Sequence, residues 1–241
     1  MCGRFTLFHS EEDLLDRFEA CRASGENGAI EPRYNIAPSQ GIIAVREREG
    51  RQLERLKWGL IPAWAKDFKR PLINVRADTL AEKPYFRTAL SKRRCIIPAS
   101  GFYEWKQVDN PKEADNPKEG GKTPVYFRRA GGELLSFAGI WEQREDADGA
   151  LLITCAIITT KPNSLVGMVH NRMPVILPQT DEHLWLDASV TDTAELLPLL
   201  SPYGEELEAY PVSRKVNAPA NDSAECIEPA GERLMPFRVN G

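Results

Sequence analysis

The sequence predicts an α+β fold, with many short strands and a few peripheral helices. Three observations lead to this. Runs of 4–10 residues rich in Val, Ile, Phe, Tyr and Trp recur along the chain, separated by Gly, Pro, Asn and Asp. Helical patterns are few and short, and they do not alternate with the strands as βαβ units would. With 241 residues and 42% hydrophobic content, the chain can bury a sizeable core.

In chain order, residues 2–8 read as a strand. Ser10 then caps a predicted helix through Cys21, with Asp13 near the capping-box position and Leu14, Phe18 and Cys21 on one face. Residues 24–40 are rich in turn formers. Strands follow at 42–48 and 53–58, with a turn near Gly50. The aromatic but aperiodic stretch 58–64 is expected to be irregular and to border a cavity. Residues 74–78 read as a loop or short strand, 85–93 as a helix, and 95–98 and 101–106 as two strands tightly joined. The near-repeat DNPKEA/DNPKEG within 109–122 offers no apolar anchor, so it is expected to be a flexible insertion and not a domain boundary. Strands at 125–129, 134–141 and 151–159, a short helix near 163–169, outer helices at 181–187 and 193–200, and a strand at 208–212 complete the reading. The whole chain, 1–241, is one domain.

Composition narrows the function. The five cysteines are odd in number, dispersed and without a CxxC pair, and the three histidines are far apart. Neither a disulfide scaffold nor a metal centre is expected, and no cofactor is implied. No apolar run reaches the roughly 20 residues that a membrane span requires. The start of the chain lacks a signal-peptide pattern, so a cytoplasmic location is expected. Net charge is −4, yet residues 51–106 hold 13 Lys/Arg against 5 Asp/Glu. A localised basic face on an acidic protein suits a phosphate-bearing partner; an unliganded, solvated face is the alternative.

Several polar residues carry possible chemistry. Removal of Met1 would give Cys2 both a thiol and an α-amine, the latter titrating near about 8. Such a pair condenses with an aldehyde to an imine, on which sulfur closes a five-membered thiazolidine. The plainer reading of Cys2 is a small buried hydrophobe. Glu104 stands among Phe102, Tyr103 and Trp105; buried there, it would hold a proton at neutral pH for general acid work, whereas alternation also permits it to face solvent. His170 interrupts an apolar run and has a pKa suited to proton transfer. Asn74 and Arg76 flank Val75 and share one side of an extended segment. The asparagine suits positioning an amine or sugar oxygen, and the arginine suits gripping phosphate. Arg4 would add a second phosphate ligand beside Cys2.

Taken together, MCGRF (1–5), RYNIAP (33–38), WGLIPAW (58–64), NVRAD (74–78), CIIPASGFYEW (95–105), TTKPN (159–163), HNRMPV (170–175), VSRKVN (212–217) and CIEP (226–229) resemble the SRAP family, the SOS-response-associated peptidases or abasic-site processing proteins. The resemblance implies a single domain on a barrel-like, mainly antiparallel β core with a basic groove. It implies that Cys2 forms a thiazolidine with the ring-opened aldehyde of an abasic site in single-stranded DNA, shielding the strand from cleavage. Asn74, Glu104 and His170 fall on the family's catalytic positions, Arg4 and Arg76 on its DNA-facing arginines, and Trp58 and Trp64 on aromatics that stack on or wedge the DNA. Family members commonly have Glu where this chain has Asp78. The partner implied is abasic single-stranded DNA, bound by a monomer associated with the nucleoid. Three other activities share parts of this chemistry: a cysteine-dependent peptidase or N-terminal-nucleophile amidohydrolase, an abasic-site lyase, and a non-catalytic single-stranded DNA-binding module.

Overall fold

The computed structural model describes residues 2–25, 28–65, 70–107, 121–145 and 149–235. The chain opens with β1 (Phe5–Leu7), α1 (Glu11–Phe18), β2 (Cys21–Arg22) and β3 (Arg33–Ile36). The long hairpin β4 (Gly41–Arg48) and β5 (Gly50–Trp58) follows, then β6 (Asn74–Arg76), α2 (Ala77–Leu80) and α3 (Pro84–Lys92). Next come β7 (Arg94–Ala99), β8 (Gly101–Gln107), β9 (Lys122–Arg129), β10 (Leu135–Glu145) and β11 (Leu151–Thr160). The last elements are α4 (Ser164–Gly167), β12 (Met173–Pro174), α5 (Gln179–Leu186), α6 (Thr193–Leu196) and β13 (Leu207–Pro211).

Five of these strands close into a barrel. β11, β10, β7, β4 and β5 pair antiparallel in that order, and β5 returns to β11 in parallel through Lys57 opposite Thr154 and Trp58 opposite Cys155. The fold is therefore α+β on a barrel core, as expected, with one parallel seam. Closure removes the exposed edges that an open sheet would leave. A second, wholly antiparallel sheet, β13-β9-β8-β1-β3, packs against it. Phe5 and Phe102 of this sheet meet Phe137 of the barrel edge-on, with centroids 6.0 Å apart in both pairs. Phe5 also meets Trp58 at 5.2 Å. Tyr103, Tyr126 and Tyr210 form a separate cluster on the sheet's other face. Gly101 allows this crossing: a Cβ there would lie 2.3 Å from the Tyr126 hydroxyl, which bonds Thr6 Oγ1 at 2.8 Å.

The parallel seam also places the functional segment. β5 occupies only the first half of the β11 edge. The chain leaves at Gly59, whose φ of 136° suits glycine, and returns through the Leu60–Leu72 bridge. β6 then takes up the same β11 edge, with Asn74, Val75 and Arg76 opposite Ile157, Ile158 and Thr159.

Several sequence expectations are corrected. The capping box at Ser10 and Asp13 is present, but α1 stops at Phe18 because Glu19 turns left-handed at φ 49°. Cys21 therefore lies on the short strand β2 and is exposed, while Leu14 and Phe18 are buried. The turn-rich stretch before residue 40 contains β3. Trp58 does not belong to an irregular segment; it ends β5 and is fully buried. Its indole N–H donates to the Ile73 carbonyl at 2.9 Å, so its ring lies in the core and offers no face to a base. Trp58 thus has no exposed face for stacking or wedging, whereas Trp64 is 68% exposed. Lys122, read as the end of the insertion, is the first residue of β9 and pairs with Gln107. Residues 108–120, including the near-repeat, lie outside the described residues.

The two tryptophans should separate in unfolding experiments. Trp58→Ala should cost about 3–5 kcal/mol, as large-to-small core changes do. Trp64→Ala should stay within about 0.5 kcal/mol of wild type, as exposed positions do. Urea unfolding of both variants checks this, and equal losses would contradict the assignment.

Candidate active site

The site forms where the two sheets meet near the start of the chain. Cys2 is fully buried and belongs to the main core, so its side chain packs as a small hydrophobe would. Its polar neighbours give it further significance. The Asn74 Nδ2 group donates to the Cys2 carbonyl at 2.8 Å, tying the second residue to the start of β6. Arg4 continues the strand pairing by accepting from the Tyr103 N–H at 3.0 Å. Residues 2–4 therefore run alongside the strand that carries Glu104.

Glu104 is 2% exposed, which removes the solvent-facing alternative. Phe102 shares its face of β8, while Tyr103 turns to the tyrosine cluster and donates to the Tyr34 carbonyl at 2.7 Å. Burial raises the Glu104 carboxyl to about 7, against the pull of the positive amino terminus and Lys122. Burial likewise pushes the Cys2 thiol well above its ordinary range, and the nearby Glu104 charge adds to the effect. His170 shifts the other way: burial and the amino-terminal charge lower its pKa, and the Arg172 carbonyl partly offsets them. Its Nδ1 lies 3.0 Å from the Arg172 backbone N–H and 3.1 Å from the Arg172 carbonyl. Either tautomer of the neutral ring therefore finds a backbone partner on Arg172. The charge of Glu104 acts on the Cys2 thiol, so these two groups share one electrostatic environment.

Asn74 contributes a further feature. Its Oδ1 is buried without a hydrogen-bond partner among the described residues. A buried acceptor of this kind is costly unless a ligand or water satisfies it.

The predicted DNA-binding residues are less uniform. Arg4 is half-buried, its Nη1 donating at 2.7 Å both to Asn35 Oδ1 and to the Val216 carbonyl, and its guanidinium lies 5.8 Å from the Trp105 ring. Arg76 is exposed and forked onto Asp78. Trp64 is exposed, but no described contact joins it to the Cys2 cluster. The sequence reading missed Lys122, Arg172 and Asn35. Lys122 sits beside an uninformative polar tract, whereas Arg172 and Asn35 lie inside motifs already singled out. Asn35 is fully buried; its amide donates to the carbonyls of Val216, Ala218 and Asn221, and the Asp222 carboxylate receives its backbone N–H at 2.8 Å. The C-terminal turns thereby brace the strand pair that carries Arg4.

A family model for the SOS response associated peptidases (SRAP) matches residues 1–219. The chain belongs to the SRAP family. Abasic site processing protein YoqW of Bacillus subtilis (strain 168) is 46% identical over 232 residues, covering 95% of this chain and 99% of that protein. Abasic site processing protein HMCES of Gallus gallus is 33% identical over 240 residues, covering 84% of this SRAP chain and 67% of its relative. A crystal structure of a Bacteroides thetaiotaomicron protein superposes with a TM-score of 0.80 at 28% identity, covering 95% of this chain and all of that one. Three of the SRAP motifs meet at the start of the chain, through Cys2, Asn74 and Glu104, although up to 102 residues separate them in sequence.

The raised Glu104 pKa makes a stability prediction. The native state holds this proton more tightly than the unfolded chain does. The stabilisation it gives is therefore full below the ordinary 4.5 and lost as pH rises towards about 7. Glu104→Gln stays neutral and escapes that loss. Its stability relative to wild type should climb between these two pH values and level off above them. A difference that is flat with pH, in urea midpoints, would contradict the buried, protonated carboxyl.

Proposed function

We propose that this protein processes abasic sites in single-stranded DNA by covalent capture on Cys2 after loss of Met1. One observation carries the reading. Asn74 pins the Cys2 main chain beside a carboxyl that is half-protonated near neutral pH, in a chain similar to proteins named for abasic site processing. The abasic sugar is a closed hemiacetal in equilibrium with an aldehyde. Protonated Glu104 gives its proton to the ring oxygen as the C1′–O4′ bond breaks and the C1′ hydroxyl loses its own. The Cys2 α-amine adds to C1′, water leaves, and an imine forms. The thiol then adds across the C=N bond, sulfur to carbon and proton to nitrogen, to close the thiazolidine. The unpartnered Asn74 Oδ1 is available to accept from the incoming amine or a sugar hydroxyl. Neutral His170 can relay protons between the nitrogen and the sugar oxygens.

The state of the thiol favours this order of events over a peptidase. A cysteine protease requires a depressed thiol pKa, whereas burial here pushes Cys2 upward. An amine-first mechanism uses the protonated thiol directly, because the imine is the electrophile. The same imine could otherwise eliminate and cut the strand, so an abasic-site lyase activity would be a side reaction of slow ring closure. The reaction balances without a metal or cofactor. In this reading the protein acts as a monomer on cytoplasmic, nucleoid DNA, with Arg4, Arg76 and Trp64 contacting the strand.

Intact-mass measurement after incubation with abasic single-stranded DNA tests the proposal. Wild type should lose Met1 and gain the mass of the oligonucleotide less one water. Cys2→Ala should bind DNA within a few-fold yet yield no heat-stable adduct. Cys2→Ser keeps the amine but closes the ring poorly, so it should give less stable adduct and more strand cleavage. A full yield of stable adduct from Cys2→Ala would place the nucleophile elsewhere.

A further inference from the structure

An exposed arginine is normally a poor phosphate ligand until its long side chain is fixed, since ordering it costs entropy. Arg76 is 58% exposed, yet it is not loose. Its Nε donates to Asp78 Oδ1 at 3.0 Å and its Nη2 to Oδ2 at 2.6 Å, a two-point fork along one edge of the guanidinium. The carboxylate is fixed in turn from the interior. Arg172 Nη1 lies 3.4 Å from the same Oδ2, and Arg172 Nη2 donates to the Thr159 carbonyl at 2.5 Å and to Thr159 Oγ1 at 3.0 Å. Thr159 is fully buried on β11 and stands directly opposite Arg76 in the parallel pairing. The result is a relay from core to surface: Thr159, Arg172, Asp78, Arg76.

We propose that Asp78 is a positioning residue for DNA, one that acts through Arg76 and does not touch the nucleic acid. The fork occupies the Nε edge of Arg76 and leaves Nη1 at the far end for a phosphate oxygen. Two guanidiniums share one carboxylate, so the trio keeps a net positive charge at the end of the segment that begins with Asn74. Asp78 is held ionised, its pKa lowered to about 2 chiefly by the hydrogen bonds from Arg76, so the fork persists throughout the neutral range. An Asp with the shorter side chain closes this relay because Arg76 lies only two residues away on the strand-to-helix junction between β6 and α2.

This inference rests on the single-stranded DNA reading above, and charge arithmetic makes it sharply testable. Removing a carboxylate beside a DNA site adds one positive charge locally, which by simple electrostatics tightens binding. Positioning predicts the opposite. Binding of an unmodified single-stranded oligonucleotide, which cannot form the adduct, is measured for wild type, Asp78→Asn, Asp78→Glu, Arg76→Ala and the Arg76→Ala/Asp78→Asn double variant. Asp78→Asn should weaken binding by roughly 3- to 20-fold, within the span seen for coupled contacting groups. Asp78→Glu, which keeps a forked carboxylate, should stay within about twofold by the same reasoning. In the Arg76→Ala background the asparagine substitution should no longer weaken binding and should tighten it slightly. Unchanged or tighter binding by Asp78→Asn in the otherwise wild-type chain overturns the inference while leaving the DNA reading intact. Wild type that fails to bind the oligonucleotide overturns both.

Discussion

One edge of β11 is shared by two strands in succession, and the rest of the molecule follows from that pairing. β5 takes the first half and closes the barrel; β6 takes the second half and sets the register of Asn74 and Arg76. The intervening excursion is anchored at both ends by the Leu60–Leu72 bridge and by the Trp58 indole, which donates to Ile73 just before Asn74. Asn74 then reaches the Cys2 carbonyl, and the start of the chain is tied to the barrel. A slip of one residue in this parallel pairing would exchange Val75 with its neighbours and bury the polar pair. Barrel closure and site assembly are thus the same structural event.

Within the site, burial moves the ionisable groups towards their neutral forms. The Glu104 carboxyl and Cys2 thiol are raised and the His170 imidazole is lowered, with desolvation the largest cause in each case. A neutral acid and a neutral base can then coexist near neutral pH, an arrangement that exposed Glu and His side chains do not provide.

The basic character of residues 51–106 proves to be divided between structure and surface. Arg94 is 5% exposed and serves the carbonyls of Leu90, Ser91, Trp185 and Asp187, holding α3 and α5 to the barrel. Arg93 pairs with Glu142 at 2.5 Å, and Arg51 donates to the Phe18 carbonyl at the end of α1. Charges spent on carbonyls and buried carboxylates add little to a surface field. Arg76, exposed and oriented by Asp78, is the contrasting case.

Much of the architecture was legible because it depends on local rules. The Ser10 and Asp13 side chains cap the first helix by contacts within one turn, and the apolar runs of β4, β7, β10 and β11 were visible as strands before any pairing was known. The sequence by itself also singled out Cys2, by its place after Met1, and Asn74, Glu104 and His170, as polar groups in apolar or glycine-rich surroundings. Direction and partnership were decided only in three dimensions. Alternation left Glu104 free to face either way, and only the folded chain buries it. Trp58 resembles Trp64 in sequence, yet one ends a barrel strand and the other lies beyond the edge of the sheet. Asn74 and Cys2 meet across 72 residues, and Arg172 and Asp78 across 94. No local propensity encodes such contacts, because their existence depends on the register of β6 along β11 and on the closing of the barrel.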